Sequence, residues 1–131
     1  MAQKDIVDIG IDLGTTFSSI SVYNEQTKQY ECLLDPQGNP SIPSWVSFSQ
    51  MKDGEVLVGY NAKEDAKMEY VVYDVKRIIG REYKNIDKRS LSEWKFKVKN
   101  NIQSTIIKTH TALKEKRECF QPEEISAIVL S

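Results

Sequence analysis

The chain has 131 residues, a net charge of −1, 28% charged and 40% hydrophobic residues. That length suits one domain with a real core, although it is small for a nucleotide enzyme built as two lobes around a cleft. The near-zero charge supplies no basic field for nucleic acid, and the longest apolar stretches are too short to span a membrane. The start, Met-Ala-Gln-Lys-Asp, lacks the apolar core and cleavage site of a signal peptide, so a cytoplasmic or nuclear setting is expected.

The first organised stretch is Ile9-Gly-Ile-Asp-Leu-Gly-Thr-Thr-Phe17. Val7, Ile9, Ile11 and Leu13 alternate with Asp8, Gly10 and Asp12, which predicts a strand with one buried face that turns at Leu13 to Thr16. Gly14 in a positive-φ turn would let successive N–H groups converge on phosphate oxygens, with Thr15 and Thr16 adding hydroxyls. Asp12, at the strand end, is placed to hold a metal ion or its waters. The same residues also suit an ordinary hairpin with a glycine turn.

Ser18 to Asn24 and Tyr30 to Leu34 continue as strands around the polar turn Glu25 to Lys28, completing an antiparallel three-strand meander. Asp35 to Pro43 carries three prolines and a glycine in nine residues and predicts a loop crossing into a second subregion. That subregion opens with a hairpin, Ser44 to Ser49 and Glu55 to Gly59, turning at Asp53-Gly54. Asn61 with Glu64 resembles a capping box for a short helix containing Ala62, Ala66 and Met68. The mixed apolar and basic stretch from Tyr70 to Arg81 predicts a helix that ends near Gly80 and carries Lys76 and Arg77.

Trp94-Lys-Phe-Lys-Val-Lys99 predicts a strand with one packed and one lysine face. Ser104 to Thr111 is its expected partner, and Ala112 to Phe120 a further strand. Pro122, followed by Glu123 and Glu124, predicts a closing helix with Ile125, Ile128 and Val129 on one face. Its pattern is still running at Ser131 without a C-cap, as expected of a truncated chain. Cys32 and Cys119 are isolated and expected to be structural thiols, and His110 is the only histidine, so a multi-histidine metal site is excluded.

Neither Gly-x-x-x-x-Gly-Lys nor Gly-x-Gly-x-x-Gly occurs, so the Asp12 to Thr16 turn is neither a P-loop nor a dinucleotide fingerprint. Lys76 and Arg77 read either as solvated charges or as cations that reach a bound γ-phosphate. Lys95, Lys97 and Lys99 read as a solvated strand face, with no interleaved aromatic platform for nucleic acid.

Three separated segments resemble one family. Ile9-Gly-Ile-Asp-Leu-Gly-Thr-Thr-Phe-Ser18, Tyr73-Asp-Val-Lys-Arg-Ile-Ile-Gly-Arg81 and Phe120-Gln-Pro-Glu-Glu-Ile-Ser126 are similar, in order and spacing, to the start of the nucleotide-binding domain of the seventy-kilodalton heat-shock (Hsp70) chaperones. The resemblance implies an α/β fold, a partial actin-like or ribonuclease-H-like ATPase lobe in which an antiparallel meander is joined to a mixed α+β upper subdomain. Residues 6–39 and 119–131 would form the lower part of the first lobe and residues 40–118 its upper part.

It further implies that Gly14, Thr15, Thr16 and Phe17 form the first phosphate loop for ATP or ADP and that Asp12 holds magnesium through water. Lys76 would be the lysine needed for hydrolysis, with Arg77 supporting it. The parent protein would be an ATPase whose partners are unfolded peptides, J-domain co-chaperones and nucleotide-exchange factors. Nucleic acid and membrane are not expected partners. This piece alone, lacking the second lobe, is expected to be inactive.

Phe17 stands where the family usually has tyrosine, and Pro40 where arginine commonly follows the asparagine. A sugar kinase or other phosphotransferase of the same superfamily would share the Asp12 to Thr16 turn, but the Lys76 and Pro122 segments speak against it. A non-enzymatic lobe that binds exchange factors is the other alternative.

Overall fold

Alternation in the first stretch does build strands. The computed structural model describes residues 7–50, 55–100, 105–108 and 119–131. Its first sheet contains β1 (Ile9–Leu13), β2 (Phe17–Asn24) and β3 (Gln29–Cys32) as an antiparallel meander, with Ile11 opposite Ile20 and Tyr23 opposite Tyr30. The crossing loop is tied by Asp35, whose carboxylate accepts from the N–H of Gln37 and Asn39. Those bonds, led by the one from the Asn39 backbone, hold the Asp35 carboxyl below its ordinary pKa.

The loop does not exclude strand pairing altogether. Ile42–Pro43 forms β4 against the start of β2, with Phe17 opposite Pro43. A proline is tolerated there because β4 is a two-residue edge strand that needs few ladder bonds.

Two further three-stranded sheets build the rest. The hairpin of β5 (Val46–Ser47) and β6 (Leu57–Val58) forms as expected, with β7 (Val71–Val72) on the other side of β5. β8 (Lys97–Asn100), β9 (Thr105–Lys108) and β10 (Cys119–Phe120) make the third sheet, all antiparallel. The core lies among these two sheets and the closing helix α3 (Pro122–Leu130), and it includes Val46, Phe48, Val72, Ile78, Trp94, Ile107, Phe120 and Ile125. As expected, Pro122 opens α3 and Glu123 and Glu124 lie in its first turn.

Several local expectations are corrected. The apolar stripe of β1 is not buried, since Ile9 is 56% and Ile11 52% exposed. α3 reaches only the end of this sheet face, where Val129 and Leu130 border a groove of about 290 Å³ with Ile11, Ile20 and Leu33. α1 (Tyr60–Lys63) starts earlier than a cap at Asn61 allows. Its N-cap is Gly59 at φ 71°, where Trp45 O accepts the Gly59 N–H and draws the chain to the sheet. Asn61 instead accepts from Gln37 Nε2 across the crossing loop.

The helix predicted over Tyr70 to Arg81 is also absent. Val71 and Val72 pair with β5, and a 3₁₀ turn at Val75–Arg77 follows Asp74, whose backbone is left-handed at φ 57° and ψ 23°. β-branched residues facing a free sheet edge favoured pairing, and the left-handed residue then prevented a continuous helix. Gly80 does end the turn region, at φ 71°.

The strand expected from Trp94 begins only at Lys97, but its alternation holds, with Trp94 and Phe96 buried and Lys95, Lys97 and Lys99 exposed. The residues before it form α2 (Lys88–Glu93), capped by Asp87, which accepts from the N–H groups of Arg89 and Ser90. Much of the strand expected over Ala112 to Phe120, His110, and the tip of the turn at Asp53-Gly54 lie outside the described residues. Cys32 is an exposed thiol and Cys119 a partly buried one. No helix among the described residues is long and apolar enough to cross a membrane.

The segment after α1 is fastened to β5 by a small polar knot. Ser47 Oγ donates to Asp65 Oδ2 at 2.7 Å, and Ser49 Oγ donates to the same oxygen. Burial alone would raise the Asp65 pKa, but the bonds from Ser49, the Lys67 N–H and Ser47 outweigh it and hold the carboxyl below its ordinary value.

Candidate functional site

The turn between β1 and β2 is closed by one backbone bond, from Gly14 N–H to Phe17 O at 3.0 Å. Gly14 does not have a positive φ; among the described residues the glycines that do are Gly38, Gly59 and Gly80. Close approach is what requires glycine here, because a Cβ on Gly14 would lie inside contact distance of the Phe17 carbonyl oxygen. Gly14→Ala is therefore expected to cost about 1–3 kcal/mol by forcing backbone apart. A urea midpoint equal to that of the unsubstituted chain would contradict this.

The loop is also held from outside. Ser44, just after β4, donates its N–H to Thr16 O at 2.9 Å and its Oγ–H to Gly14 O at 2.8 Å. Ser44 Oγ also lies 2.7 Å from Ser18 Oγ. No acceptor among the described residues takes the N–H of Thr15 or Thr16. Both groups remain available to an anion.

Lys76 reaches this loop through tertiary packing. Val75, which opens the 3₁₀ turn, and Ile78, which follows it, enter the core and leave Lys76 and Arg77 outside it. Asp74 anchors the turn by accepting Arg77 N–H on its carbonyl at 2.9 Å and Trp94 Nε1–H on its carboxylate at 3.1 Å. Lys76 then borders one small cleft with Leu13, Gly14, Thr15, Ser44 and Ile125. Among the described residues it makes no ion pair. A cation next to free N–H donors can stabilise charge on phosphate oxygens.

Asp12 is not brought into that cleft. It lies next to Leu13 on β1, so its side chain leaves the opposite face of the strand, and it is exposed. A single exposed carboxylate suits a hydrated magnesium ion, which keeps several waters and takes one or two carboxylates with phosphate oxygens. Phe17 is 42% exposed, and Lys63 Nζ lies 5.8 Å from its ring centroid and 5.9 Å from that of Trp45. Trp45 in turn stacks at 4.3 Å on Tyr73, the residue before Asp74.

Ser44 and Lys63 are the two neighbours of the loop that sequence reading missed. A serine after a proline carries no periodic signal, and a lysine in a one-turn helix looks like any solvated charge. The Phe17 and Lys63 pairing depends on β4 bringing the two subregions together.

A family model described as Hsp70 protein matches residues 8–131, which includes every element above. The chain belongs to the Hsp70 family. It is 36% identical over 129 residues to heat shock cognate 70 kDa protein 3 of Dictyostelium discoideum, covering 96% of this chain and 20% of that protein. It is 38% identical to putative heat shock 70 kDa protein 7 of Homo sapiens, covering 94% of the chain and 32% of that protein. It is 36% identical to a ribosome-associated molecular chaperone of Saccharomyces cerevisiae, over 94% of the chain and 19% of that protein. The Hsp70-family chain thus spans between about a fifth and a third of the length of these relatives.

Proposed function

We propose that this chain is the N-terminal part of the ATP-binding and ATP-hydrolysing domain of an Hsp70-family chaperone. The observation that carries the reading is the shared cleft of Lys76, Gly14 and Thr15, segments far apart in sequence that meet in a chain matched by the Hsp70 model over residues 8–131. In this reading Gly14, Thr15, Thr16 and Phe17 bind the phosphates of ATP, and Lys76 stabilises charge at the γ-phosphate and helps position the attacking water. Arg77, exposed next to Lys76 but outside the lining of the cleft, is the proposed supporting residue. Asp12 holds magnesium through water; the metal supplies charge neutralisation on the phosphate oxygens when bound.

The proposed architecture is one actin-like lobe. Residues 6–39 and 119–131 form its lower part and residues 40–118 its upper part. The half-exposed stripe of Ile9 and Ile11 supports a sheet that further chain completes. Unfolded peptides, J-domain co-chaperones and nucleotide-exchange factors are proposed partners of the whole protein, with a cytoplasmic setting.

The chain supplies one wall of the ATP site, and transition-state stabilisation needs donors on both sides of the phosphates. Phosphate release from magnesium-ATP is accordingly expected from a protein that carries both lobes and at buffer rate from this chain. Turnover by the chain alone that disappears in Lys76→Ala would overturn the one-wall assignment.

A further inference from the structure

The order of donors around Ser44 follows from proton counting. A serine hydroxyl has one proton, and that of Ser44 is committed to Gly14 O. The 2.7 Å contact with Ser18 must then be Ser18 Oγ–H donating to Ser44 Oγ. Both serines are nearly buried, at 7% and 8% exposure, so neither hydroxyl is freely exchanged for water. The result is a relay from Ser18 through Ser44 to the Gly14 carbonyl, in which each bond polarises the next.

This relay dictates where the loop's donors point. In a planar trans peptide the C=O and the following N–H point in opposite directions. Drawing Gly14 O towards Ser44 Oγ therefore turns Thr15 N–H away from Ser44, and drawing Thr16 O towards Ser44 N–H does the same to Phe17 N–H. Two amides of the loop are thus aimed by one residue outside it. A loop without that clamp could rotate the same peptides and present carbonyl oxygens, which repel an anion.

We propose that Ser44, polarised by Ser18, is the positioning residue of the Gly14–Phe17 loop, turning its amides towards the polyphosphate of a nucleotide. The proposal rests on the reading of that loop as a phosphate site. Ser44 itself touches no substrate; it acts through the peptide planes on either side of Thr15 and Thr16. Its place on the segment between β4 and β5 also makes the loop's geometry depend on how the second subregion docks on the first.

The test is amide NMR on this chain, comparing Ser44→Ala, Ser44→Thr and Ser18→Ala with the unsubstituted protein. Losing the Ser44 hydroxyl frees the Gly14 carbonyl and loosens the turn that the Gly14 N–H closes on Phe17 O. Hydrogen exchange at the Gly14 amide is therefore expected to speed up by about tenfold, the opening of the turn becoming easier by the worth of one hydrogen bond. Phe48 and Ile78 amides, bonded to Tyr70 O and Val75 O, serve as the check that the core stays folded. Ser44→Thr, which keeps the hydroxyl, is expected to restore the original rate, and Ser18→Ala to give a smaller increase.

Titration with magnesium pyrophosphate is expected to shift Thr15 and Phe17 amides in the unsubstituted chain and to bind about tenfold more weakly in Ser44→Ala. Unchanged Gly14 exchange in a folded Ser44→Ala overturns the proposal; if that variant does not fold, unchanged exchange in Ser18→Ala does so. Equal pyrophosphate affinity in Ser44→Ala and the unsubstituted chain overturns the proposal and leaves the phosphate reading standing. No pyrophosphate shift in any of the proteins, with Gly14 exchange still faster in Ser44→Ala, overturns the phosphate reading and with it the proposal.

Discussion

Lys76→Ala, in a polypeptide that joins this chain to the opposing Hsp70 lobe, is expected to lower ATP turnover by about 10²–10³-fold, the usual cost of removing one preorganised group that meets transition-state charge. The argument is geometric. Lys76 borders the cleft with Gly14 and Thr15, and its turn is held by Val75, Ile78 and the Asp74 to Trp94 bond. Its ammonium makes no ion pair among the described residues, so nothing there competes with a phosphate for it. Because the side chain is exposed, the same substitution should leave stability within about 0.5 kcal/mol of the original. Single-turnover phosphate release, with a parallel urea titration, separates the two effects. Turnover reduced less than about fivefold, against the 10²–10³ expected, would assign Lys76 to the solvated surface instead.

The largest stability loss is expected from Phe48→Ala. Phe48 is fully buried, stacks on Phe120 with ring centroids 4.5 Å apart, and follows β5 at the point where the second and third sheets meet α3. Truncation removes the apolar area and leaves a cavity that the stacked ring and the neighbouring sheets cannot close, which costs about 3–5 kcal/mol. Domains of this size are stable by only about 5–15 kcal/mol, so the urea midpoint should fall by roughly a fifth or more. The effect should extend to the cleft, because Val75 and Ile125 belong to the same core as Phe48 and border the space that Lys76 shares with Gly14. A drop of under about 1 kcal/mol at unchanged slope would mean that the core relaxes around the missing ring.

The parts of this fold that are legible in sequence are those in which a short-range pattern meets no competitor. Ile9 to Leu13 alternates, turns at a glycine and pairs as expected; Pro122 with Glu123 and Glu124 starts a helix as expected. Tyr70 to Arg81 misleads because Val71, Val72, Ile78 and Ile79 fit a helical spacing as well as two short extended pieces. The arbitration comes from outside the segment, from the free edge of β5 and from Trp94, whose indole binds the left-handed Asp74. α2 gives little signal because Asp87 caps a helix in which only Leu91 is a large apolar residue, too little to set a period.

Legibility of the site divides in the same way. Asp12, at the end of β1, and the Gly14 to Phe17 turn can be picked out as one stretch because they are nearly contiguous, although only the structure shows that Asp12 stays outside the cleft. Lys76 can be singled out only by family resemblance, since a lysine in a mixed basic stretch is ordinarily solvated. Ser44 gives no signal at all, although it makes three hydrogen-bond contacts with the loop and its neighbour Ser18.

Sequence by itself determined the family, the meander and the glycine turn, because these depend on residue order and on backbone preferences acting over a few positions. Tertiary structure alone decided that Gly14 serves a close approach rather than a positive φ, that Lys76 borders the same cleft as Thr15, and that β1 leaves its apolar stripe half exposed. The last two are relations between segments distant along the chain, and the first depends on how β2 and Ser44 fix the turn. Such relations are set by which side chains share a core, here Val75 and Ile78 drawing one turn inward while nothing among the described residues covers Ile9.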